Sequence, residues 1–207
     1  MYQGEKLNSI THLVGAVLSV VGSAILVTVG VMHQRPWQAI VSFIIYGLTL
    51  ILLYTASTLY HSFRGRPKEI FQRLDHSAIY LLIAGSYTPF SLVTLRGHYG
   101  GLIFAVSWIL AIFGIAQEGW LSKGNQRMLS LVLYLVMGWM IVFDIKPLVA
   151  TLPHLGVLLL VGGGVAYTLG IIFYVIDERM RHAHGIWHLF VLGGSVLQYL
   201  CVVGFLA

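Results

Sequence analysis

The chain has 207 residues, of which 58% are hydrophobic and only 9% charged, with a mean hydropathy of +0.87. Soluble domains carry about 25% charged residues, so a water-soluble fold is excluded and an integral membrane protein is expected. The net charge of +5 does not call for nucleic acid, because the cations gather in short connections where anionic lipid headgroups account for them.

Residues 1–8 lack the basic region, short apolar core and small-residue cleavage site of a removable signal peptide, so no leader is expected. Seven apolar runs follow, at about 10–32, 37–62, 72–95, 99–117, 126–144, 154–175 and 184–206, each near the ~20 residues that a helix needs to cross a bilayer. They predict an all-α bundle of seven transmembrane helices forming a single domain over 1–207. In the first run Gly15, Ser19 and Ser23 recur at spacing four, and in the sixth Gly162, Ala166 and Gly170 do the same. Such stripes let helix backbones approach closely in lipid. Pro89 in the third run has no N–H for the carbonyl of Gly85, so a kink is expected there, eased by the missing side chain of Gly85. Cys201 lies deep in the last run and, as the single cysteine, excludes a disulfide framework and a cysteine-bound zinc.

Seven crossings put the two termini on opposite sides. Lys6, Arg64, Arg66, Lys68, Arg73, Lys123, Arg127, Arg179 and Arg181 fall on the N-terminal side, and Arg35, Arg96 and Lys146 on the other. Nine against three predicts a cytoplasmic N-terminus and an outer C-terminus in the cell's inner (plasma) membrane. The expected partners are membrane lipids.

Ionisable groups in or beside such spans mark sites, because burying them is costly. On the outer side His33, His98, His154 and Asp144 read as interfacial residues. The cytoplasmic side is richer. The second run ends in Ser57-Thr58-Leu59-Tyr60-His61, the third opens on Leu74-Asp75-His76, and the seventh opens on His184-Gly-Ile-Trp-His188. His184 and His188 are four apart and share one helix face, as do Ser57 and His61. Topology therefore brings His61, His184, His188, Asp75 and Ser57 to one level. Three neutral imidazoles can hold zinc and leave a fourth position for water. Bound zinc drops that water's pKa towards ~7. Asp75 suits a proton shuttle, and Ser57 an orienting hydroxyl.

Singly, each residue has a plainer reading. His61 could snorkel, and Asp75 could stabilise its helix N-terminus. His12 opens the first run, with Glu5 and Asn8 upstream, as an outer-layer residue, a lid or a packing group. His76 points roughly 100° away from Asp75 around the helix and is not expected to ligate. His182 is expected to face solvent. Tyr60, Tyr80, Tyr87 and Trp187 either line a lipid-entry cleft or belong to an interfacial aromatic belt.

Glu5-x-x-Asn8-x-x-Thr11-His12, Ser57-x-x-Tyr60-His61, Asp75, the block Ala84-Gly85-Ser86-Tyr87-Thr88-Pro89 and His184-x-x-x-His188 together resemble the hemolysin III branch of the progestin and adipoQ receptor (PAQR) family over nearly the whole chain. The resemblance implies a cytoplasm-facing zinc site with His61, His184 and His188 as ligands, and Ser57 and Asp75 facing water or substrate. The wider superfamily includes alkaline ceramidases and adiponectin receptors, which implies hydrolysis of an amide or ester bond of a membrane lipid. The alternative is a non-catalytic homeostasis or stress protein, or a pore-forming hemolysin-like protein, with structural zinc. In a closed site of that kind Asp75 would be the fourth ligand. A transporter is disfavoured, because no charged residue lies near mid-membrane.

Overall fold

The computed structural model describes residues 4–118 and 123–207, without the side chains of 123–126. The order is α1 (Lys6–Met32), α2 (Trp37–Ser62), α3 (Arg66–Pro89), a π-helical turn (Phe90–Thr94), α4 (Gly100–Gln117), α5 (Lys123–Gly138), a 3-10 stretch (Met140–Asp144), α6 (Ile145–Thr151), α7 (His154–Val175) and α8 (Ala183–Phe205). Among the described residues there is no strand, and seven helical spans are long and apolar enough to cross a membrane. Helices are the natural solution, since within hydrocarbon each backbone N–H and C=O must be satisfied inside its own segment. Prolines set several starts: Pro36 and Pro153 precede α2 and α7, and Pro67 stands in the first turn of α3, where a missing N–H costs nothing.

Neighbouring helices pack in sequence from α1 to α4, α7 packs on α8, and α8 returns to α1, which closes the bundle. The core lies mainly on α2 and α3, with Phe43, Tyr46, Leu50, Leu53 and Tyr54 against Ala78 and Leu82. Large apolar side chains such as Val17, Ile109 and Phe143 are exposed on the outside, a surface that water would not tolerate over this extent. α5 touches α3, α4 and α7 only lightly. An apolar crevice of about 180 Å³ remains between α3, α5, α7 and α8.

Three local expectations change. First, the buried glycines of α7 are Gly156, Gly163 and Gly170, a spacing of seven rather than the four of Gly162, Ala166 and Gly170. Gly163 lies against Gln198 and the carbonyl of Gly194, and Gly170 against Phe190, so the seam is between α7 and α8. The Gly15 and Ser23 stripe does face α2, through Tyr54 and Gly47. Second, the space that a Gly85 side chain would need is filled by Thr49 of α2. Gly85 thus serves close approach of two helices rather than ease of bending. Pro89 ends regular α3, and the chain runs on as a wider turn in which the Leu95 N–H donates to the Phe90 carbonyl at 2.8 Å.

Third, the fifth span is not one helix. α5 stops at Gly138, and Tyr87 holds the break: its hydroxyl donates to the Gly138 carbonyl at 2.9 Å and accepts from the Ile141 N–H at 3.1 Å. The span resumes through the 3-10 stretch and α6, ending at Thr151. Asp144, expected to be interfacial, is buried and accepts from the Tyr99 N–H at the start of α4, at 3.2 Å. The connection expected at 118–125 lies largely outside the described residues, as does the side chain of Lys123.

Candidate metal centre

His61 sits in the last turn of α2, and His184 and His188 in the first two turns of α8. The packing of α1 onto both helices brings them together. Gly185 makes this possible on the α8 side, because a side chain there would strike Leu7 and Asn8. The three imidazole centroids form a nearly equilateral triangle with sides of 4.8, 4.9 and 5.1 Å. One ring nitrogen from each lies within 4.8 Å of the others. His61 and His188 are buried, and His184 is partly so.

Hydrogen bonding decides which nitrogen faces the centre. His188 Nδ1 meets the Asn8 carbonyl at 3.1 Å, and a carbonyl only accepts, so Nδ1 carries the proton. His61 Nδ1 donates to Glu5 Oε2 at 2.7 Å, and His184 Nδ1 to Asp177 Oδ2 at 2.9 Å. In all three rings Nε2 is buried with no hydrogen-bond partner among the described residues. Orphaned buried polar atoms are rare. Three at one point, each a lone pair whose tautomer is fixed from behind, form a donor set of the kind that metals use.

The carboxylates behind the imidazoles are themselves clamped. Glu5 accepts from Lys68 Nζ at 2.9 Å and from Asn8 Nδ2 at 2.8 Å. Burial pushes the Glu5 carboxyl up, but bonds from His61, Lys68 and Asn8 outweigh it and hold it well below the usual carboxylate range. Asp177, in the connection between α7 and α8, accepts from Arg127 at 2.8 Å. Burial raises its pKa too, and the bonds from His184 and Arg127 outweigh that and lower it. Both groups are therefore anionic at neutral pH and hold the Nδ1–H tautomer of their imidazoles.

The sequence profile of the haemolysin-III related family matches residues 1–199. This chain belongs to that family. It is 45% identical to Hemolysin-3 of Bacillus cereus over 200 residues, covering 96% of this chain and 90% of that protein. It is 43% identical to the Hemolysin-3 homolog of Bacillus subtilis (strain 168) over 200 residues, covering 96% and 92%. More distantly, it is 29% identical to the human monocyte to macrophage differentiation factor over 202 residues, covering 94% and 81%.

In this haemolysin-III chain the remaining candidate residues stand around the triad. Ser57 and Asp75 are both buried. Ser57 Oγ is buried without a close hydrogen-bond partner among the described residues, and the Asp75 carboxyl is its near polar neighbour. Asp75 does not join the three imidazoles in the group of mutually close donor atoms. His76 turns away to Glu118, 3.5 Å off, and His182 is exposed at the start of α8. His12 is buried, stacked on His188 with centroids 3.6 Å apart. Of the four aromatic residues, Tyr87 and Trp187 line the crevice, Tyr60 lines the vestibule described next, and Tyr80 is buried on Gln117.

Two cavities border the site and share Tyr134 and Tyr174 in their walls. A polar vestibule of about 1110 Å³ reaches His61 and His184 among charged side chains that include Glu5, Arg73, Arg127 and Asp177. The apolar crevice reaches Asp75 and His12, with Tyr87, Trp139, Tyr167 and Trp187 also in its wall. Sequence reasoning did not find Asp177, Arg127 or Lys68 as supports. The one available signal was a carboxylate seven residues before His184, which becomes meaningful only once the chain reverses before α8.

Proposed function

We propose that the protein is a zinc-dependent hydrolase of an amide or ester bond in a membrane lipid. The observation that carries this reading is the set of three clustered Nε2 atoms, unpartnered among the described residues, with a polar cavity at His61 and His184 and an apolar one at the neighbouring Asp75 and His12. His61, His184 and His188 would hold the ion, and an all-imidazole set with one open position is the pattern of catalytic zinc. The chemistry that such an ion supplies is a bound water acidified to a pKa of ~7 and a polarised carbonyl.

The chain's own residues do the rest. The apolar crevice takes the acyl chain and the vestibule takes the headgroup, which sets the scissile bond beside the triad. Asp75, on the crevice wall, receives the proton of the attacking water and returns it to the leaving amine or alkoxide. The Ser57 hydroxyl fixes the carboxylate for that exchange. The excess of cations on the N-terminal side supports a cytoplasmic face of the plasma membrane for the triad. The name Hemolysin-3 suggests lysis by the Bacillus cereus relative. A purely structural ion would need a fourth protein ligand, and Asp75 stands outside the ligand group.

Purified protein should carry about one zinc per chain, the load that a single three-histidine site takes, and His188→Ala should lose it. Incubation of wild type and His184→Ala with a mixed lipid extract, read by mass spectrometry, should show products released by wild type alone. Identical product profiles would sink the hydrolase reading.

A further inference from the structure

His12 is the imidazole at the site with both ring nitrogens buried and without a close hydrogen-bond partner among the described residues. Its ring is 1% exposed. Two aromatic neighbours hold its plane. It stacks on His188 with ring planes 13° apart, and meets the Tyr54 ring edge-on at 5.0 Å and 87°. An imidazole always carries at least one N–H. His12 stands in the wall of the apolar crevice, together with Asp75. A buried donor without an acceptor is costly, and packing alone would be served as well by phenylalanine, which has no such cost. The stack sets the His12 ring directly beside His188 of the triad.

We propose that His12 contacts the substrate: its N–H donates to the carbonyl oxygen of an acyl-lipid amide or ester whose chain fills the apolar crevice. The assignment rests on the hydrolase reading for the nature of the lipid, but the hydrogen bond itself needs no turnover. As charge builds on the carbonyl oxygen during attack, this bond strengthens, which is the condition for lowering a barrier and not merely tightening binding. His12 thereby selects ligands with a carbonyl at the head of the chain over plain hydrocarbon.

The test uses a ligand that cannot be hydrolysed. Binding of 2-tetradecanone and of tetradecane to the zinc-loaded protein in detergent is followed by tryptophan fluorescence, since Trp139 and Trp187 line the crevice. Wild type should prefer the ketone about fivefold more than His12→Phe does, the size expected of one hydrogen bond. His12→Phe keeps a flat ring on His188 and should keep its zinc. His12→Gln, which restores an N–H, should recover part of the preference. An equal ketone preference in wild type and His12→Phe would overturn the proposal, as would no preference in wild type. Where His12→Phe does not fold, His12→Gln is compared with His12→Leu: a preference in the glutamine variant alone supports the contact, and equal behaviour overturns it. Absence of product from the lipid extract would remove the hydrolase reading and leave this result standing.

Discussion

At the residue scale the decisive feature is the back of each imidazole and not its front. An anionic carboxylate on Nδ1–H makes Nε2 more basic and fixes the ring, and losing such support typically costs 10–100-fold in metal affinity. Asp177 should therefore matter although it does not ligate. Asp177→Asn keeps the size and removes the charge, so zinc affinity, measured by chelator competition, should fall about 10-fold or more. Glu178→Gln is the control: Glu178 is 82% exposed and bonds to Arg127, and its affinity should stay at the wild-type value. Equal affinity in Asp177→Asn and wild type would show that the His184 bond is incidental. The three histidines were legible in the sequence because a four-residue spacing and a span end fix their height and face. Asp177 was not, because its role depends on how a short connection folds back over α8. Glu5 and Asn8 showed as polar residues ahead of the first span and as the start of the family motif, without their role behind the imidazoles.

At the scale of elements, hydropathy reveals where helices run but not which face of each is buried. Most residues of α7 beyond His154 are apolar or small, so four-residue and seven-residue stripes of small residues coexist in its sequence and only packing on α8 chooses between them. The choice can be tested with one methyl group. In Gly163→Ala the added carbon would sit 2.8 Å from Gln198 Cγ and 3.1 Å from the Gly194 carbonyl oxygen, so α7 and α8 must separate slightly, a cost of about 1–3 kcal/mol for overpacking. In Gly162→Ala it would meet only Leu197 Cδ1 at 3.6 Å, an ordinary contact, and alanine's better helix propensity is worth up to ~1 kcal/mol. Thermal unfolding in detergent should show Gly163→Ala below wild type and Gly162→Ala at or above it. The reverse order would restore the four-residue seam. The breaks in the third and fifth spans follow the same division. Pro89 announced an irregularity, whereas the stop at Gly138 depends on a tyrosine hydroxyl from α3 that no local pattern reveals.

At the scale of the whole molecule, the charge asymmetry and the site make one argument. Lys68 and Arg127, both counted on the basic side, hold Glu5 and Asp177 behind the ligands. The cations that orient a chain in the membrane thus include two that support the triad, and the triad must face whichever side those cations face. If that side is the cytoplasm, the vestibule opens to the cytosol and any headgroup product is released there. Cysteine labelling on intact cells reads this directly. The native Cys201 is buried and contributes little background. Arg181, in the connection before α8, and His98, in the connection before α4, are both exposed. A membrane-impermeant maleimide should label His98→Cys in intact cells, and should label Arg181→Cys only after the cells are opened. Labelling of Arg181→Cys in intact cells would place the vestibule outside and its substrate in the outer leaflet. The lipid hydrolase reading would then survive with the opposite leaflet as its source, but the orientation drawn from nine cations against three would not.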